Sequence, residues 1–290
     1  MKLSKRISVL ILVALLVIAA SVALSACGEL NNYASKYDNA AAYTVADSGE
    51  FDSVVDLDIE WCNGSVIVET SDTATTVSFY EETSGEKIND DTTMHYYHDG
   101  AKLYIRYSKS GRVTIGKLVK RLYVTIPSNL ALREVEIEAI SAAVIVKDIQ
   151  ANEVSVESVS GLVNVECTAA EIDVETTSGN IFVDCKASEI DIETVSGRVG
   201  LTCLSLPIDL EIDTTSGDVE MYLTNERAFS VIFDTVSGSH SYSFEGMTHS
   251  KVNGNNVLSY LGGVQQDAAY CYEVDTTSGN LTIALLHVGQ

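Results

Sequence analysis

The chain has 290 residues, 46% of them apolar, and carries 41 acidic against 18 basic side chains for a formal charge of −23. The apolar content excludes a disordered polypeptide. The charge excludes general affinity for nucleic acid, whose phosphates it would repel, and favours cations or basic partners.

The first residues read as an export signal. Lys2, Lys5 and Arg6 form a basic start, and an uncharged apolar run from Ile7 to Ala23 ends in Leu24-Ser25-Ala26-Cys27. A branched residue, two small residues and a cysteine are what a lipoprotein signal peptidase cleaves after the thiol is acylated. The expected division is a signal peptide at 1–26, a tether at 27–42 lipidated on Cys27, and a single domain at 43–290 on the extracytoplasmic face of a membrane. A plain transmembrane anchor is the alternative, since about 17 apolar residues can just span a bilayer. Cleavage would remove three basic groups and no acid, leaving 15 basic against 41 acidic residues and a charge of −26. Of six cysteines, Cys62, Cys167, Cys185, Cys203 and Cys271 would remain besides Cys27. Five thiols cannot all pair within one molecule, so disulfides are not the main support.

Beyond the tether, Leu57 to Trp61 alternates as a strand before Asn63-Gly64. Thr76 to Tyr80, Met94 to His98, Lys102 to Tyr107 and Arg121 to Ile126 read as longer strands, the last ending at Pro127. Lys102 to Arg121 holds seven basic residues and no acid. Anionic lipid headgroups, wall polymers, or the acidic face of another copy would suit it; a solvated hairpin with a loop at Ser108 to Arg112 is the plainer alternative.

From Val135 onward the chain repeats. Ser-Gly pairs close turns at Gly161, Gly179, Gly197, Gly217, Gly238 and Gly279, spaced 18, 18, 20, 21 and 41 residues apart. The last interval reads as two repeats carrying an insertion from about Glu245 to Asp267. Periods near 20 predict stacked coils, each too small to bury its own apolar face. Alternation within each period, as in Glu171-Ile172-Asp173-Val174-Glu175 and Ile181-Phe182-Val183-Asp184-Cys185, gives two short strands per coil. Glycine at the turn is expected to supply positive φ. Cys167, Cys185 and Cys203 recur on the inward side, as one straight file of core sulfurs that cannot surround a metal tetrahedrally. All five thiols outside the anchor are expected to be protected. The predicted fold is all-β, a parallel β-solenoid of about 18–21-residue coils with longer strands in its N-terminal half.

Val124-Thr125-Ile126-Pro127 and the six Ser-Gly turns carry a resemblance covering Tyr43 to Leu286. The chain resembles the bacterial putative-adhesin family of uncharacterised β-solenoid domains. The resemblance implies an extracytoplasmic, right-handed parallel β-solenoid with no established enzyme chemistry, and surface adhesion to host or neighbouring cells as one role.

Outward positions of the strand before each turn hold 20 of the 41 acids. Stacked about 4.8 Å apart, neighbouring like charges repel by roughly 0.9 kcal/mol per pair even in bulk water. Three readings of this column are a solvated face that blocks lateral pairing, a docking site for a cationic peptide, protein or wall component, and a weak Ca²⁺ site at Asp173, Glu175, Asp191, Glu193, Glu211 and Asp213. No catalytic residue is assigned: His95, His98, His240, His249 and His287 lack metal-ligand spacing, and the Ser-Gly turns are not nucleophile elbows. A polysaccharide-acting β-helix enzyme is the least favoured reading. The sequence therefore points to a noncatalytic membrane-anchored binding, sensing or scaffold domain.

Overall fold

Residues 40–84, 88–109, 118–252, 254–260 and 265–286 are described in the computed structural model. The signal peptide, Cys27, most of the tether and the tip of the basic loop lie outside them. Apart from a 3-10 turn at Ala40–Ala42, the regular structure among these residues is strand, joined in one continuous sheet.

The alternation seen in the sequence becomes parallel, in-register stacking. Glu171–Ser178 lies between Ala131–Ser160 and Glu189–Ser196, so Ile172 pairs with Val154 on one side and Ile190 on the other. Ile181–Lys186 lies likewise between Val163–Thr168 and Val199–Cys203. Because side chains alternate across a strand, register puts like on like. Ile172, Val174, Ile190, Ile192, Val183 and Leu201 are all buried. Cys185 stacks between Cys167 and Cys203, and the file continues through Leu223 to Leu285. These three cysteines and Cys62 are buried, but Cys271 is exposed, contrary to the expectation that all five thiols are shielded. Its strand is entered in the outward phase there, beside Ser230.

Coil order does not follow chain order at either end. The coil turning at Gly279 is wedged between those turning at Gly217 and Gly238: Glu211 pairs with Glu273, and Asp275 pairs with Asp234. Reading the last 41-residue interval as two successive repeats is therefore corrected. The intervening residues form an antiparallel hairpin, Met247–Val252 with Asn255–Tyr260, laid against Arg227–Thr235. The N-terminal half mirrors this arrangement. Asp56–Ser71 sits between Ala131–Ser160 and an outer coil made of Lys102–Arg106 and Val119–Pro127.

Both ends of a stack expose an apolar cross-section and free strand edges, so both need caps. Antiparallel strands provide them. At the first end, Val77–Ser84 covers Val119–Pro127, and His95–His98 covers Lys102–Arg106. Phe51, Phe79 and Tyr96 pack over the exposed core there. At the other end, Phe229, Tyr260, Tyr272 and Phe244 do the same.

The Ser-Gly turns are glycine for a reason beyond torsional freedom. Of the six, Gly161 and Gly197 have positive φ, at 142° and 140°, while the other four do not. What they share is close approach: a Cβ on Gly179 would lie 1.9 Å from the Gly161 carbonyl oxygen, and one on Gly197 would lie 1.9 Å from that of Gly179. The file runs on through Gly217, Gly279 and Gly238, where a Cβ would fall 1.9–2.0 Å from the previous carbonyl oxygen in stack order. At those three a Cβ would also strike the hydroxyl of the threonine three residues earlier, Thr214, Thr276 or Thr235.

Gly179→Ala should accordingly destabilise the domain by more than about 3 kcal/mol, because a backbone carbonyl cannot yield without moving a whole coil. Gly100→Ala, at φ 104° with nothing within 4 Å, should lose only about 1–2 kcal/mol from torsional strain. Urea unfolding of the two variants checks the contrast, and equal losses would refute the packing argument.

Candidate functional site

Strand register turns the scattered acids into three rows on one face. In stack order the first row reads Lys102, Asp56, Glu134, Glu153, Glu171, Glu189, Asp209. The second reads Tyr104, Asp58, Glu136, Ser155, Asp173, Asp191, Glu211, Glu273. The third reads Arg106, Glu60, Glu138, Glu157, Glu175, Glu193, Asp213, Asp275, Asp234. The six residues singled out as calcium ligands form one contiguous block: Asp173, Asp191 and Glu211 in the second row, beside Glu175, Glu193 and Asp213 in the third. Parallel projection keeps them side by side. Among the described residues, no three or more His, Cys, Asp or Glu side chains converge on a metal-sized point.

Cations close the rows at one end. Lys102 Nζ lies 3.0 Å from Glu136, 3.4 Å from Asp58 and 3.5 Å from Glu134. Arg106 reaches Asp58 at 2.5 Å and Glu60 at 3.1 Å, while Arg133 pairs with buried Asp56. Burial opposes the charge on Lys102, but its hydrogen bond to Glu136 and the fields of the three acids prevail and raise its pKa. Much of the basic segment thus turns onto the chain's own carboxylates. Sequence spacing hid this, because Lys102 and Glu136 become neighbours only when the outer coil stacks.

Lys120, from the same segment, is not a surface cation. It is fully buried with Glu81 at 2.6 Å and donates to the carbonyl oxygens of Thr92, at 2.9 Å, and Tyr107. Its ammonium also lies over the Tyr107 and Trp61 rings, 4.3 and 5.0 Å from their centres. A buried ion pair whose ammonium also donates to two backbone carbonyls fixes the cap on the stack, and losing one partner would strand the other charge. Lys109 pairs with Asp91 at the surface. Residues 110–117, including most of the loop expected at Ser108 to Arg112, lie outside the described residues.

Beyond the cationic end, Glu157, Asp173, Glu175, Asp191 and Glu193 have no cation partner among the described residues. Desolvation first, and then neighbouring acids, raises Glu138 and Glu193 to about 7 and Asp191 to about 6. Glu153, Glu157, Asp173 and Glu175 shift upward for the same two reasons. The folded face therefore binds protons more tightly than the unfolded chain, whose carboxyls titrate near 4. Stability should fall as pH rises from about 4.5 through 7, the reverse of a domain whose acids are salt-bridged. Burial lowers the pKa of His95 and His240, which opposes the trend below about 6.5, but two imidazoles face seven carboxylates. Calorimetry should show a higher Tm at pH 5 than at pH 7.5, with a smaller difference in Glu193→Gln. A Tm that climbs with pH would contradict this electrostatic picture.

A parallel-rich stack with antiparallel caps and one carboxylate face defines a repetitive, solenoid-like all-β protein. The chain belongs to the Toastrack DUF4097 family, whose model matches residues 54–284. No curated protein matches it. Among solved structures it is similar to a putative cell adhesion protein from Clostridium sporogenes at 12% identity and TM-score 0.37, covering 84% of this chain and 98% of that one. Putative adhesins from Bacteroides fragilis (11%, TM-score 0.39, 82% and 96% covered) and Parabacteroides distasonis (15%, TM-score 0.41, 84% and 97% covered) are similar to a like degree.

Proposed function

We propose that this is a noncatalytic extracytoplasmic binding or scaffold protein, held to a membrane by lipid on Cys27, whose carboxylate face engages cationic ligands at the cell envelope. One observation carries the reading: three registered rows of acids run along the stack, with basic partners gathered at one end. Lys102, seated among Asp58, Glu134 and Glu136, shows within the molecule how such a face holds an amino group. Similar groupings of acids recur along the stack, so a basic peptide, protein or wall component with several cations would gain from each in turn. The fold reading that accompanies this is a right-handed solenoid with coils of about 18–21 residues. Calcium would act as a diffuse counterion rather than in a cage, since the six candidate acids project side by side.

The chain enters the stack at the cationic end, where Thr44–Val45 pairs with His95–His98. With lipid on Cys27, the rows would run outward from the membrane for about 40 Å, the depth of some nine coils.

Two measurements test the proposal. Binding of an oligolysine peptide should weaken steeply with salt and fall about tenfold or more when Asp173, Asp191 and Glu193 are changed together to Asn, Asn and Gln. The same triple change should reduce any rise in Tm that Ca²⁺ gives beyond sodium at equal ionic strength. Unchanged peptide affinity would reject the cationic-ligand reading. Separately, Cys27→Ala should accumulate uncleaved, unlipidated precursor, and normal maturation of that variant would reject the anchor alone.

A further inference from the structure

The C-terminal cap brings together two histidines nine residues apart in a region where sequence spacing gives no metal motif. His240 lies on His240–Tyr242, a short strand paired with Leu281–Leu286, and His249 lies on Met247–Val252 of the capping hairpin. Their ring centres are 4.5 Å apart and the planes meet at 59°.

The orientation of the His249 ring follows from its surroundings. Asn256 Nδ2 donates to the Phe233 carbonyl at 3.5 Å, which turns its Oδ1 toward His249, and His249 Nε2 lies 3.1 Å from that oxygen. Nε2 therefore carries the hydrogen and Nδ1 keeps a free lone pair. A hydrogen bond from the far nitrogen to an amide or carboxylate oxygen is the arrangement that orients metal-binding imidazoles and raises their basicity. His240 is half-buried and neither of its ring nitrogens has a hydrogen-bond partner among the described residues.

We propose that His240 and His249 form a two-imidazole site for a borderline divalent transition metal of the Cu²⁺ and Zn²⁺ class. A metal bound to both rings would sit about 3.2 Å from each ring centre, given bonds of about 2.0–2.1 Å to nitrogen. Centres 4.5 Å apart then subtend about 90° at the metal, the angle between adjacent positions of a tetragonal site. No third His, Cys, Asp or Glu joins the pair among the described residues, so water fills the remaining positions. The site is separate in chemistry from the carboxylate face: nitrogen donors select transition metals, whereas oxygen-only donors suit calcium and magnesium.

Cu²⁺ titrated into the full-length protein, with excess Mg²⁺ occupying the carboxylates, tests the site. Pulsed electron paramagnetic resonance at the first equivalent should count two coordinated imidazoles. His240→Gln and His249→Gln should each leave one, whereas His98→Gln should still leave two. Asn256→Ala should keep the count at two while weakening affinity about 10- to 100-fold, a loss that a purely structural asparagine would not cause. Fewer than two imidazoles in the unaltered protein, or two remaining in His240→Gln, would overturn the assignment.

Discussion

The architecture depends on how closely one turn approaches the next. At each Ser-Gly turn a backbone carbonyl presses against the α-carbon of the glycine in the neighbouring coil, leaving no room for a Cβ. That contact sets the spacing at which Ile172 stacks on Ile190 and Cys185 on Cys203. Apolar burial supplies the drive to associate, but burial is non-directional and would tolerate slippage. The glycine file and the strand ladders make a single register the one that fits, since a one-residue slip would turn every inward side chain outward.

Register has an electrostatic consequence. The same alignment that buries the valines and isoleucines lines up the outward carboxylates, and like charges directly opposed weaken a sheet. The fold meets that strain in two ways. At one end Lys102, Arg106 and Arg133 neutralise the rows, and farther along desolvation and repulsion raise carboxyl pKa values until protons are retained near neutrality. A face in that condition is primed to exchange protons for other cations, the physical basis of the proposed ligand class.

The ends of the stack are built by a shared device. The first coil in chain order and the last one are both wedged one place inward, and an antiparallel cap closes each outer coil. Neither chain-terminal coil is left as an open edge, which limits end-to-end pairing between molecules. The buried Lys120–Glu81 pair locks one cap, and an aromatic cluster around Phe229 and Tyr260 locks the other.

By itself the sequence determined the repeat, the two-strand coil, the inward file of Cys167, Cys185 and Cys203, and the collection of acids on one face. All of these follow from local periodicity, because alternation by two residues decides side-chain direction and recurrence near 20 residues decides what stacks on what. Only the tertiary structure decided the order of the terminal coils, the exposure of Cys271, the burial of Lys120 and the meeting of His240 with His249. Each of these depends on which strand edge a distant segment occupies. The Gly279 coil could satisfy the same ladder on either side of the Gly238 coil, and its periodicity is identical in both places. What separates the two is the hairpin at 247–260, which covers one face of Arg227–Thr235 and leaves the other for the final coil.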